Sequence, residues 1–81
     1  MTSLRALWVL GFLWAYHQEH GCMPTLREIA EGRSISAPGA RLYLAAFERE
    51  GLIWRKAHKA RAYSLTSIGR RRARAAWKET S

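Results

Sequence analysis

The chain has no Asp and no Asn, a single Cys, two Pro and six acidic residues in 81. The lone Cys22 excludes a disulfide framework and any zinc site built on several thiolates, and it fits a reducing, intracellular setting. The absence of Asp removes much of the usual equipment for metal and acid–base chemistry. His17, His20 and Cys22 are the nearest thing to a ligand set, but no fourth ligand is close and the spacing matches no common zinc motif. Cys22 has no implied cleft or base that would make it a nucleophile. We therefore expect no metal, no cofactor and no enzymatic activity. The longest apolar run, residues 6–16, has 11 residues, against about 20 for a membrane span. Only Arg5 precedes that run and His17-Gln18-Glu19-His20 follows it, which reads against a signal peptide.

What the chain has in excess is positive charge. Lys and Arg number 14, for a net charge of +8 and a pI near 10.9. Residues 1–40 are balanced, with Arg5, Arg27 and Arg33 against Glu19, Glu28 and Glu31; the whole excess lies in residues 41–81. Such asymmetry points to a polyanion, nucleic acid before an anionic membrane surface. At 9.3 kDa the chain is expected to form one domain. A domain this small buries only about 60% of its unfolded surface, so a partner could complete its core.

Helix signals come first along the chain. Ser3 caps a helix from Leu4 to about His20 (3–20 with its cap), and Gly21 ends it. Apolar residues surround this helix almost completely, so more than one face is expected to be buried. Thr25-Leu-Arg-Glu28 is a capping box for a short second helix, 25–32, whose Leu26, Ile29 and Ala30 face the core. Ser36 caps a third, 36–50, with Pro38 in its first turn and Ala40, Leu44 and Phe47 on its inner stripe; Gly51 stops it. Residues 52–65 read as a hairpin with a basic tip at 57–60 and with Tyr63 and Leu65 on one face. Thr66 caps a last helix, 66–78. The expected fold is mainly α (α+β): a winged helix-turn-helix of three helices, a β-hairpin wing and a C-terminal helix.

Three stretches carry a family resemblance. Gly21-Cys-Met-Pro-Thr-Leu-Arg-Glu-Ile-Ala-Glu31 resembles the stretch that opens the DNA-binding domain of LexA repressors. Phe47-Glu-Arg-Glu-Gly-Leu-Ile53 is similar to the end of the recognition helix in LexA and MarR-like regulators. Tyr63-Ser-Leu-Thr-Ser-Ile-Gly69 is similar to the exit of MarR- and PadR-like wings. The resemblance spans roughly residues 3–70. LexA's self-cleaving protease domain has no counterpart in this sequence, so that activity is not expected here. The turn Glu31-Gly-Arg-Ser-Ile-Ser36 departs from the family's usual Ala-Leu-Gly-Ile-Ser pattern.

The resemblance implies a third helix lying in the major groove of duplex DNA. Its outward residues are then Pro38, Gly39, Arg41 and Leu42, with Arg41 supplying a bidentate fork for guanine and Leu42 a contact for a thymine methyl. Thr25, Arg27 and Ser36, at helix N-termini, are candidates for phosphate, and Tyr43 either donates to phosphate or packs between helices. Arg55, Lys56, His58, Lys59 and Arg61 give the wing a basic cluster for the sugar–phosphate backbone or minor groove. Arg70, Arg71, Arg72 and Arg74 crowd the dipole-positive start of the last helix, where a phosphate backbone or a partner's acidic residues would stabilise them.

The expected function is sequence-specific regulation of transcription, at the nucleoid in the cytoplasm, by a homodimer on double-stranded DNA. Its dimer interface would use Trp8, Phe12, Trp14, Tyr16 and Trp77, more aromatic surface than one small core can hold. Two alternatives stand beside it. One is a winged-helix adaptor between proteins, favoured by the apolar outer face of the third helix. The other is a nucleoid or replication-accessory protein that binds DNA without sequence preference.

Overall fold

Side-chain caps fix where the helices begin in the computed structural model, which describes residues 3–56 and 62–80. Ser3 Oγ accepts from Ala6 N at 3.1 Å and starts α1 (Leu4–His20). Thr25 Oγ1 accepts from Glu28 N while Glu28 Oε1 accepts from Thr25 N at 2.8 Å, closing the capping box of α2 (Leu26–Arg33). Ser36 Oγ accepts from Gly39 N at 3.0 Å and starts α3 (Ala37–Arg49). Gly21 and Gly51 lie at φ 75° and 76°, the left-handed conformation that lets the chain leave α1 and α3. Ser34 occupies the same region at φ 54°, at the end of α2, without glycine's freedom.

The wing is a two-stranded antiparallel sheet, β1 (Ile53–Arg55) and β2 (Tyr63–Leu65), with Ile53 opposite Leu65, Trp54 opposite Ser64 and Arg55 opposite Tyr63. Leu52, expected in the first strand, lies outside the ladder. Its N–H donates to Phe47 O and its carbonyl accepts from Thr66 N, so it joins α3 to the far end of the hairpin. The expected basic tip falls outside the described residues. Thr66 Oγ1 donates to Gly51 O at 2.7 Å and accepts from Gly69 N, capping α4 (Ser67–Thr80).

One core joins all these elements. Val9, Leu10 and Leu13 of α1, Ile29 of α2, Ala40, Leu44 and Phe47 of α3, Leu52 and Ile53, and Tyr63 and Leu65 are buried together. Tyr63 also donates its hydroxyl to Pro24 O at 2.7 Å, pinning the wing to the turn before α2.

Helix α1 is buried on two sides, but the second side is covered from within the chain. α4 packs along it so closely that a Cβ added at Gly11 would stand 3.1 Å from Trp77 N. By spacing, Ile68, Ala73, Ala76 and Trp77 form a partial apolar stripe on α4, and the structure departs from it at one position. Ala73 and Ala76 face inward as expected, but Ile68 is 52% exposed and Gly69 takes the inward place beside them. Gly69 decides this: its Cα lies against the Leu52 carbonyl, where any Cβ would overlap, and that approach sets the rotation of the helix.

Candidate nucleic-acid interface

The buried stripe of α3 dictates what its other face can offer. With Ala40, Leu44 and Phe47 inward, Pro38, Arg41 and Leu42 are exposed, Leu42 to 72%. Gly39 is half-buried beneath the Ser36 hydroxyl. Tyr43 leans inward on the core and stacks on Phe47 with ring centroids 6.3 Å apart. Packing is therefore the contact the structure gives it. The α3 N-terminus is capped by the exposed Ser36, whose hydroxyl accepts from Gly39 N, and Arg27 is exposed on α2. Thr25 is half-buried in its capping box.

On the wing, Arg55 and Lys56 are exposed. Arg55 Nε lies 3.6 Å from Glu48 Oε1, which ties β1 to the end of α3. His58, Lys59 and Arg61 lie outside the described residues. Arg41, Leu42, Lys56 and Arg27 thus come from three separate elements as exposed side chains with no ion pair among the described residues.

The aromatic residues expected at a dimer seam are all half-buried. Trp8, Phe12 and Trp77 surround Arg33, whose guanidinium carbon is 4.6, 5.1 and 5.6 Å from the three ring centroids. Arg33 Nε donates to Trp8 O at 3.1 Å. Burial lowers the Arg33 pKa from its ordinary value. Tyr16 donates to Glu28 Oε2 at 2.8 Å. Trp14 lines an open groove against α4. The sequence held no sign of the Arg33 contact, because nothing in local spacing brings the end of α2 beside the first turns of α1.

The sequence pattern that defines the LexA DNA binding domain matches residues 2–62. The chain belongs to the LexA DNA-binding domain family. A LexA repressor of Anaeromyxobacter dehalogenans is 42% identical over 67 residues, 82% of this chain and 29% of the relative. One from Thermotoga neapolitana is 41% identical over 58 residues, 72% of this chain and 29% of the relative. The chain thus spans under a third of the LexA repressors it matches. Among solved structures it is similar to MepR, a transcription regulator of the Staphylococcus aureus multidrug efflux pump MepA. The TM-score is 0.73 at 26% identity, over 96% of this chain and 57% of MepR. The LexA match covers α1, α2 and α3 and ends at residue 62, so the candidate DNA-contacting residues up to Arg61 fall inside it and Arg70, Arg71, Arg72 and Arg74 do not. α4 lies beyond it. Among the described residues, no helix is long and apolar enough to cross a membrane.

Proposed function

We propose that this LexA-type domain is a sequence-specific double-stranded DNA-binding regulator of transcription. It presents α3 to the major groove and the wing to the backbone or minor groove. The observation that carries this reading is the division of α3: a fully buried inner stripe, and an outer face with Arg41 and Leu42 exposed beyond a capped N-terminus. A rigidly seated helix with one bidentate donor and one apolar contact is what base-edge readout requires. The names of the LexA and MepR relatives support it. Lys56 and Arg27 serve as phosphate anchors, and the nucleoid is the expected location.

We further read the active form as a homodimer joined through α1 and α4. An open cleft of about 530 Å³ between these helices, lined by Phe12, Tyr16 and Trp77 among others, offers the apolar surface for it. Two-fold symmetry then requires half-sites one helical turn apart or a multiple of it, about 34–36 Å per turn.

Selection from random duplex DNA tests the whole reading: a palindrome should emerge. Affinity for it should fall about 10³–10⁵-fold between ~50 and ~200 mM salt, as for 6–10 neutralised phosphates. Arg41→Ala should relax preference at one base pair per half-site, at a cost of about 1–3 kcal/mol there. Binding that barely responds to salt would sink the DNA reading and favour the adaptor alternative, for which Leu42 is the exposed apolar contact.

A further inference from the structure

The Arg-rich start of α4 is a charge cluster that the proposed DNA-facing elements leave unused. Between α1 and α4 runs an open groove of about 750 Å³. Trp14 and Gln18 of α1 stand on one side, and Arg70, Arg71, Arg74 and Lys78 of α4 on the other. No carboxylate lines it, and neither does any residue of α3, of the α2–α3 turn or of β1. The ion pairs His20–Glu19 and Arg55–Glu48 involve none of the four cations, which have no carboxylate partner among the described residues.

The arrangement is electrostatically costly as it stands. Arg70, Arg74 and Lys78 follow one another at i, i+4 and i+8, about 6 Å apart along the axis, and like charges at that spacing oppose the helix. Arg70 and Arg71 also sit near the dipole-positive end. An anion in the groove relieves both terms.

The groove carries apolar surface as well. Trp14 is half-buried in its wall. At its wing end, Ser64 shares a small cleft with Trp14 and Arg70. Trp54, the cross-strand partner of Ser64, stands 48% exposed on the same face of the hairpin.

These features select among occupants. A second copy seated across a two-fold axis would set four cations against four more. Duplex DNA would satisfy the cations through its phosphates, but the polar backbone that meets such a cation row leaves the tryptophans uncovered, and a duplex held by α3 approaches a face that shares no residue with the groove. We propose that the α1–α4 groove docks an acidic, amphipathic segment of a partner protein. Its carboxylates, one helical turn apart, meet Arg70, Arg74 and Lys78, and an apolar side chain covers Trp14. Arg–carboxylate pairs supply the orientation and the tryptophan the water-excluding contact.

The test uses a fluorescein-labelled helical peptide with Glu at i, i+4 and i+8 and Leu in the adjacent stripe, a scrambled peptide of equal composition, and random duplex DNA. At about 0.15 M salt the patterned peptide should bind the full chain roughly tenfold tighter than the scramble, the worth of one charge-assisted hydrogen bond. The double variant Arg70→Gln/Arg74→Gln should lose that preference while keeping its far-ultraviolet circular dichroism and its affinity for duplex DNA. Equal binding of the two peptides would reduce the groove to unspecific charge attraction and overturn the proposal. So would a double variant that binds random duplex more weakly yet still prefers the patterned peptide, which marks a nucleic-acid surface. A double variant whose sedimentation mass changes would mark a self-interface and overturn it too.

Discussion

Replacing Arg33 by Ala removes a cation from among three rings, and the structure sets the cost. The guanidinium lies 4.6 Å from Trp8, 5.1 Å from Phe12 and 5.6 Å from Trp77, all within the roughly 6 Å reach of a cation–π contact. Such contacts are worth about 0.5–1 kcal/mol at exposed sites and about 2 when desolvated, and Arg33 is half-buried. The donation from Nε to Trp8 O adds about 1.5–3 kcal/mol for a charged donor, before the desolvation cost is subtracted. We expect a net loss of about 2–3 kcal/mol, since contacts to one group do not add independently. For a domain of this size that lowers Tm by on the order of 10–20 °C. Burial lowers the Arg33 pKa, and that opposing cost is present at every pH below the folded value. It is therefore constant across the neutral range, and Arg33 should add no pH dependence there. Arg33→Lys should recover only part of the loss, because an ammonium lacks the planar face and the Nε donor. Urea denaturation followed by circular dichroism and tryptophan emission measures all three proteins, and Trp8 and Trp77 report the opening directly. A Lys variant as stable as the wild type, or an Ala variant within about 0.5 kcal/mol of it, would refute the reasoning.

Four further outcomes are expected. Ser34→Gly should raise stability by about 0.5–1 kcal/mol in the same denaturation assay, because a left-handed conformation costs an L-residue about 1–2 kcal/mol and glycine's extra chain entropy takes back part of the gain. Gly69→Ala should destabilise by about 1–3 kcal/mol through overlap with the Leu52 carbonyl, although helix propensity alone favours Ala by about 1 kcal/mol; a rise in Tm would contradict the close approach. Lys56→Gln should weaken every duplex sequence alike and reduce the salt slope by about 1, with Tm unchanged. Sedimentation at micromolar concentration should give twice 9.3 kDa, and a mass of 9.3 kDa would overturn the dimer.

The caps and inner stripes were legible because they are local. Ser3, Thr25 and Ser36 act within their own first turns, and Ala40, Leu44 and Phe47 share one helix face by spacing alone. Tyr63 and Leu65 alternate into the core as period two demands. What failed depended on contacts between distant segments. Ile68 looked like part of a stripe, but the Gly69–Leu52 approach rotates α4 and turns Ile68 outward. Leu52 looked like strand, but its backbone bonds to Phe47 and Thr66 instead of a ladder partner. In the candidate site, Arg41 and Leu42 were legible from the stripe opposite them. The engagement of Arg55 by Glu48 was not, because it joins two elements.

Arg33 also changes what the aromatic excess of α1 means. A helix apolar nearly all round suggested that a second protomer must cover it. Instead the chain covers much of it itself. α4 lies along Gly11, and Arg33 enters between Trp8, Phe12 and Trp77, its flat cation capping rings that would otherwise face water. Tyr16 closes onto Glu28, the same carboxylate that serves the capping box of α2, so the start of α2 and the end of α1 are locked by one side chain. The aromatic residues of α1 thus face two different environments. Trp8 and Phe12 flank a cation from their own chain. Trp14 faces four cations that have no carboxylate partner among the described residues. A two-fold seam through Arg70 and Arg74 would bring like charges together. A seam along the Phe12, Tyr16 and Trp77 cleft would not: it shares Trp14 and Gln18 with the groove, but Glu19 and His20 border it in place of the arginines. The two proposals therefore assign different sides of α4 to self-association and to an acidic partner, and a double variant at Arg70 and Arg74 separates them.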